Sequence, residues 1–339
     1  MFKWCDGFDH YAAIGVKGTA LQDYLQAAGY TVRNASDTTF AVVEGRRSGA
    51  FALRFSVASN SSVNASLSWG FSTNSNKVVF GFAMKAGLSR MRIARVENIV
   101  DIDWDVTTGK LRVGDQLGVN PLILDAWYFH EIVIDKAANT VSIYTNDELQ
   151  LTVAPSSTPT TQYNIVWGQT STAANAGEQA LDDFYVLDGE GARNNDRLSP
   201  IEVTSRMPTA DVKAQWEVVN ADSGTPHYQI ASQLSPGGTG KPFLQSNQAG
   251  AVDLFRSNVE LPTNNQVFAV SVIAYARKGD LDDRRLGLTI ATDPETPTEV
   301  QVPLTEAYKY YQASFETAPG GGDWNKNNVE SLSFGITTR

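Results

Sequence analysis

Leu181 to Asp196 reads LDDFYVLDGEGARNND, and the fold turns on how this stretch is read. Its first half alternates as a strand, with Phe184 and Val186 on one side and Leu181, Tyr185 and Leu187 on the other. Gly189 to Pro200 is then rich in Gly, Asn, Asp and Arg, the composition of a turn and exit rather than of a sheet. The stretch therefore closes one series of strands and opens a second β region, which places a domain boundary at about 190/191.

Upstream, apolar and polar residues alternate in Ala50 to Ala58, Lys77 to Met84, Met91 to Val96, Tyr128 to Asp135, Thr140 to Thr145 and Asn164 to Gly168. Asn74-Ser-Asn, Thr107-Thr-Gly, Lys136-Ala-Ala-Asn139 and Asn146-Asp147 supply turns between them. YFHEIVID and TVSIYTNDELQLTV form an expected hairpin. Its first strand breaks strict alternation at residues 127, 129, 132 and 134, so a bulge intervenes or both faces are buried. One helix is expected, over Thr19 to Ala28, with Leu21, Tyr24 and Leu25 at helical spacing and Gly29 as its stop.

Downstream, strands are expected at Ile201 to Arg206, Gln215 to Val219, Ala251 to Phe255, Val267 to Arg277, Arg285 to Ala291, Glu299 to Pro303, Lys309 to Phe315 and Ser331 to Ile336. The near-continuous apolar run Val267 to Ala276 suggests a central strand covered on both faces. Glycine-rich loops are expected at Ser235 to Gly240 and Pro319 to Gly322. The fold class that follows is all-β, two antiparallel jelly-roll-like β-sandwich domains in tandem, residues 1–190 and 191–339.

A chain of 339 residues accommodates two domains, and 42% hydrophobic with 19% charged residues marks it as globular. Its net charge of −10 argues against nucleic acid, because phosphate binding needs a basic surface. A single cysteine, Cys5, excludes an intrachain disulfide. No run of about 18 apolar residues is present, so no membrane insertion by a helix is expected. MFKWCDGFDHY lacks the apolar segment of a secretion signal, which gives an expectation of cytoplasmic synthesis without Sec export.

The search for chemistry yields no catalytic residue and no cofactor. His10, His130 and His227 lack metal-ligand spacing, and no G-x-S-x-G elbow occurs. Asp101, Asp103 and Asp105 in DIDWD share one strand face, with Ile102 and Trp104 opposite, which reads as a solvated face. A retaining glycosidase would need two carboxylates about 5 to 5.5 Å apart, and no strand offers such a pair, so a non-enzyme is expected. Asp182 and Asp183 are the only calcium candidates, a weak signal from one acidic dyad. Most of the seven tryptophans sit in apolar runs; Trp216 and Trp324 lie near polar loops and are the candidates for interface or glycan contact.

Three segments carry a family resemblance. WCDGFDHY (Trp4 to Tyr11), WYFHEIVIDKAANTVSIYTND (Trp127 to Asp147, with Asn146-Asp147 in place of Asn-Gly) and LDDFYVLDGEGARNND resemble concanavalin A-like (laminin-G-like) jelly rolls of tailed-bacteriophage virion proteins. The second half continues it through Pro208 to Asp211, Gln215-Trp216, His227-Tyr228, Gly250 to Phe255, Ala274 to Lys278 and Trp324 to Gly335. The resemblance implies a structural protein made in the host cytoplasm and located in the virion. It would be a homo-oligomer, trimer favoured, and would bind other virion proteins, on the tail more readily than as capsid decoration or a head fibre. The alternative is a lectin-like module whose partner is a host surface glycan.

Overall fold

The computed structural model describes residues 1–11, 13–57, 65–87, 92–105, 107–168, 177–234 and 240–339. Ala58 and Met91, the ends of two expected strands, and residues 235–239 of an expected loop lie outside these. The chain divides into two compact units, Met1–Ser205 and Arg206–Arg339. Both are antiparallel β-sandwiches.

The first unit begins with β1 (Phe2–Asp6), α1 (Gly18–Ala27), β2 (Thr31–Arg33), β3 (Phe40–Glu44), β4 (Phe51–Val57) and β5 (Ser66–Ser72). It continues with β6 (Lys77–Gly87), β7 (Arg92–Val96), β8 (Val100–Trp104), β9 (Lys110–Val113) and β10 (Gln116–Pro121). It ends with β11 (Trp127–Asp135), β12 (Thr140–Thr145), β13 (Glu148–Val153), β14 (Gln162–Gly168) and β15 (Gly177–Asp188). One sheet runs β13-β12-β11-β6-β15-β4-β3, with β1 also paired to β15; the other runs β10-β9-β8-β7-β14-β5-β2. This is the two-sheet jelly-roll architecture.

The core lies where inward side chains of the two sheets meet. The Trp167 ring on β14 stands edge-on to Phe184 of β15, 4.8 Å between centroids, and to Phe82 of β6 at 5.7 Å. All three are fully buried, and aromatic groups of this size dominate the apolar area a sandwich removes from water. LDDFYVLD occupies β15, between β6 on one side and β4 with β1 on the other. Its register slips between Asp182 and Tyr185, with Asp183 at φ 50°, so the acidic dyad marks a β-bulge.

The broken alternation of β11 has a plain cause. Register is continuous against both β6 and β12, and both faces are covered. His130, Ile132 and Ile134 enter the sandwich core, while Phe129 and Glu131 are buried on the outward side. The hairpin to β13 turns at Asn146 and Asp147, φ 48° and 74°, the two positive values of a type I′ turn. Helix α1 buries Leu21 and Leu25 and stops before Gly29 at φ 89°, as its spacing indicates.

The second unit contains β16 (Ala210–Lys213), β17 (Glu217–Val219), α2 (His227–Ala231), β18 (Phe243–Gln245), β19 (Val252–Arg256) and β20 (Val270–Ala276). Then come β21 (Arg285–Ala291), β22 (Thr298–Pro303), β23 (Lys309–Phe315), α3 (Lys326–Glu330) and β24 (Ser333–Thr338). A five-stranded sheet, β16-β19-β24-β21-β22, packs on the β20–β23 pair around Leu286, Leu288, Ile290, Val272 and Phe315.

Two expectations are corrected here. Val267 to Ala276 is not a central strand: β20 forms a two-stranded pair with β23 and presents Ser271, Ile273 and Tyr275 away from the core. The strand buried on both faces is β21, in which Leu286 to Ala291 are all buried behind an exposed Arg285. Ile201 to Arg206 is not a strand either but irregular chain, which the first unit holds through the Val203 and Ser205 amides. The compact division accordingly falls at 205/206 rather than at 190/191.

Candidate functional site

Residues 196–205 form a strap across the outward side of the first sheet, and Glu131 holds it. This carboxylate is 1% exposed. Its Oε1 accepts from Tyr185 Oη at 2.5 Å and from the backbone amides of Leu198 and Ser199, both at 3.0 Å. Its Oε2 accepts from Arg197 Nη1 at 2.8 Å. A buried carboxylate persists only when its oxygens are so occupied. Tyr185 can lie flat under the strap because β6 has Gly81 beneath it; a β-carbon there would sit 2.0 Å from Tyr185 Cε1. Burial, then the charge of Glu131, pushes the Tyr185 hydroxyl well above its usual pKa, so it stays a donor.

A cleft of about 470 Å³ opens beside the strap, lined by Lys77, Val133, Asp135, Thr140, Ser142, Tyr144, Asp196, Arg197 and Ser199. Strand register builds its floor in rows. Lys77 pairs with Asp135 and Asp135 with Thr140, Val133 pairs with Ser142, and Glu131 pairs with Tyr144. The period of two in TVSIYT sends Thr140, Ser142 and Tyr144 into the cleft and Val141 and Ile143 into the core. The strap supplies the other wall. Asp196 meets Lys77 Nζ at 2.8 Å, and the Arg197 guanidinium lies 4.1 Å above the Tyr144 ring while Nη2 reaches Asp147 at 2.5 Å. Ser199 Oγ also donates to Asp147 at 2.8 Å. Burial works to raise the Asp196 carboxyl, but hydrogen bonds from Lys77 and its own Arg197 amide hold it below the usual value.

The residues singled out from the sequence lie elsewhere. Asp182 and Asp183 are fully buried at the bulge, where arginines and amides take their oxygens. Asp182 Oδ2 accepts from the Arg46 amide at 2.9 Å; Asp183 meets Arg46 Nη2 at 2.7 Å, Arg47 Nη2 at 3.3 Å and the Val203 amide at 2.7 Å. Burial, then the neighbouring Asp183, pushes Asp182 up to about 7. With two guanidinium groups already on it, the dyad is poorly arranged for calcium, and no group of three or more metal-ligating side chains occurs among the described residues. The dyad instead anchors the strap.

Trp324 is corrected as a contact candidate: it is 6% exposed and donates Nε1 to the Phe315 carbonyl at 2.8 Å, inside the second core. Trp216 packs partly buried against that core and donates to the Ala251 carbonyl at 3.1 Å. Of the DIDWD acids, Asp101 and Asp103 lie on the outward face of β8 with Ile102 and Trp104 buried behind them. Arg95 grips Asp101 through Nε at 2.6 Å and Nη2 at 2.9 Å, which lowers its pKa. Among the histidines, His130 is buried and His227 Nδ1 lies 2.6 Å from Asp253 Oδ2.

Sequence reading missed the cleft because half of it arrives with the strap. The alternation of TVSIYT was the available signal for the other half.

No protein-family model matches this chain, and no curated protein does. Similar solved structures include a sialidase, at 11% identity and TM-score 0.36 over 47% of this chain; the chain spans 17% of that protein's length. Alginate lyase AlgAT5 from polysaccharide lyase family 7 aligns over 52% of this chain and 99% of its own, at 14% identity and TM-score 0.39. Carbohydrate-binding module CBM66 from Bacillus subtilis aligns over 48% of this chain and 96% of its own, at 7% identity and TM-score 0.30. Likenesses this distant concern the backbone. The expectation of a non-enzyme is withdrawn on the geometry of this chain: it rested on searching single strands for an acid pair, whereas the cleft takes Asp135 from β11 and Asp196 from the strap.

Proposed function

We propose that the first unit binds a glycan in the cleft between strap and sheet, and that the chain serves as a glycan-binding adhesion protein. One observation carries the reading: a recess of about 470 Å³ whose lining is hydroxyl, carboxylate and cationic groups set in register, with Val133 and the Tyr144 ring as its apolar part. A sugar hydroxyl both donates and accepts, so it is matched by Thr140, Ser142 and Ser199 hydroxyls beside carboxylate acceptors. Pockets for apolar small molecules are lined the other way, mostly by hydrophobic groups.

Glycan-array screening followed by calorimetry tests it. Ser142→Ala and Asp196→Asn should each weaken the selected glycan by about tenfold, the loss of one or two hydrogen bonds. Unchanged affinity in both variants would remove the cleft as the site.

Asp135 and Asp196, on separate elements of one cleft, favour a second reading in which the bound glycan is also cleaved. Incubation with the glycan found on the array, followed by assay for new reducing ends or unsaturated products, distinguishes cleavage from binding. The virion setting, with its homo-oligomer and virion partners, has the sequence resemblance as its sole support. Detection of the chain in purified particles would test it.

A further inference from the structure

We infer that the cleft selects neutral sugars and discriminates against uronates and sialosides, an inference that rests on the glycan reading above. Its two cations are already engaged. Lys77 is paired with Asp196 at 2.8 Å, and Arg197 is shared between Glu131 at 2.8 Å and Asp147 at 2.5 Å with its face on Tyr144. Recruiting Arg197 to a sugar carboxylate would leave Glu131 buried without its counter-ion, the costly way to break such a pair.

The surrounding charge points the same way. Lys77 and Arg197 face Asp135, Asp196, Glu131 and Asp147, two cations against four carboxylates, in a chain of net charge −10. Ser199 and Arg197 keep Asp147 below its usual pKa, and Asp196 is lowered too, so both remain anionic at neutral pH. A carboxylate accepts hydrogen bonds from sugar hydroxyls and repels a second carboxylate. Among hydroxylated ligands, the cleft therefore offers most to an uncharged ring.

The test is calorimetric titration of the full chain with neutral gluco-, galacto- and manno-oligosaccharides and, in parallel, with oligouronates and sialyl-oligosaccharides, at low and high salt. The expected result is at least one neutral ligand bound, with affinity changing less than twofold with salt and falling about tenfold in Ser142→Ala. Charged ligands should bind at least tenfold more weakly. Thermal melts check that the variant stays folded. A uronate or sialoside that binds as tightly, weakens with salt and is lost in Lys77→Ala overturns the selectivity while leaving the glycan site standing. Binding of neither class overturns both. Binding of a neutral sugar indifferent to Ser142→Ala and to Asp196→Asn places the site elsewhere and also overturns the inference.

Discussion

His130 lies between the two sheets, its ring 5.6 Å from Phe82 and its Nδ1 3.0 Å from Thr145 Oγ1, and burial lowers its pKa from 6.5 to about 3. The unfolded chain takes up a proton near pH 6.5 that the folded chain refuses until about pH 3. This contribution is intact above pH 6.5 and is lost as pH falls toward 3. Asp182 acts in the opposite sense. Its pKa is raised from 3.8 to about 7, so the folded state is favoured at low pH and loses stability as pH rises through that window. Denaturant melts from pH 4 to 8 should therefore show His130→Leu losing less stability on acidification than the parent. Asp182→Asn should lose less on the way from pH 4 to 7. Parallel curves for parent and variant would mean the group in question titrates normally.

At the scale of elements, the strap depends on Glu131 more than on any strand pairing. Glu131→Gln keeps the shape but turns one oxygen into an amide that faces the Arg197 donor, and should destabilise the first unit by about 3 kcal/mol. Hydrogen exchange should show the Leu198 and Ser199 amides, protected in the parent by Glu131 Oε1, exchanging much faster. Unaltered exchange at both would show the strap held by its other anchors, Asp183 on Val203 and Asp9 on Ser205. The same distinction explains what the sequence disclosed. Helix α1, the Asn146-Asp147 turn and strands such as Thr140 to Thr145 are fixed by spacing and turn chemistry within a few residues, and were legible. The strap was not, because its conformation is set by acids distant in sequence, among them Asp9, Glu131 and Asp183. The run Val267 to Ala276 misled for a related reason: apolar content shows that a strand is buried, and long-range pairing decides its rank in the sheet. Of the cleft, the sequence exposed the Thr140, Ser142 and Tyr144 row and hid the wall that faces it.

At the scale of the molecule, the two units have separate cores, Trp167 with Phe82 and Phe184 in one and Leu286, Leu288 and Ile290 with Phe315 in the other. Every residue lining the cleft falls between 77 and 199, inside the first unit. A chain ending at Ser205 should therefore fold by itself and bind the selected glycan within about twofold of the full chain. A chain ending at residue 190, where composition alone places the boundary, removes the strap. It uncovers Phe129, Tyr185 and Glu131 on the outward side of the sheet, and it strips Glu131 of Arg197 and of two amide donors. Exposing the Phe129 and Tyr185 rings to water costs several kcal/mol, a large share of the about 5 to 15 kcal/mol that stabilises a domain. Thermal melts and size-exclusion chromatography should show the longer piece monodisperse with a cooperative transition, and the shorter one melting well below it or aggregating. Equal stability of the two pieces would mean the strap is an appendage to the sandwich, and the cleft it walls would then be an accident of packing rather than a built site.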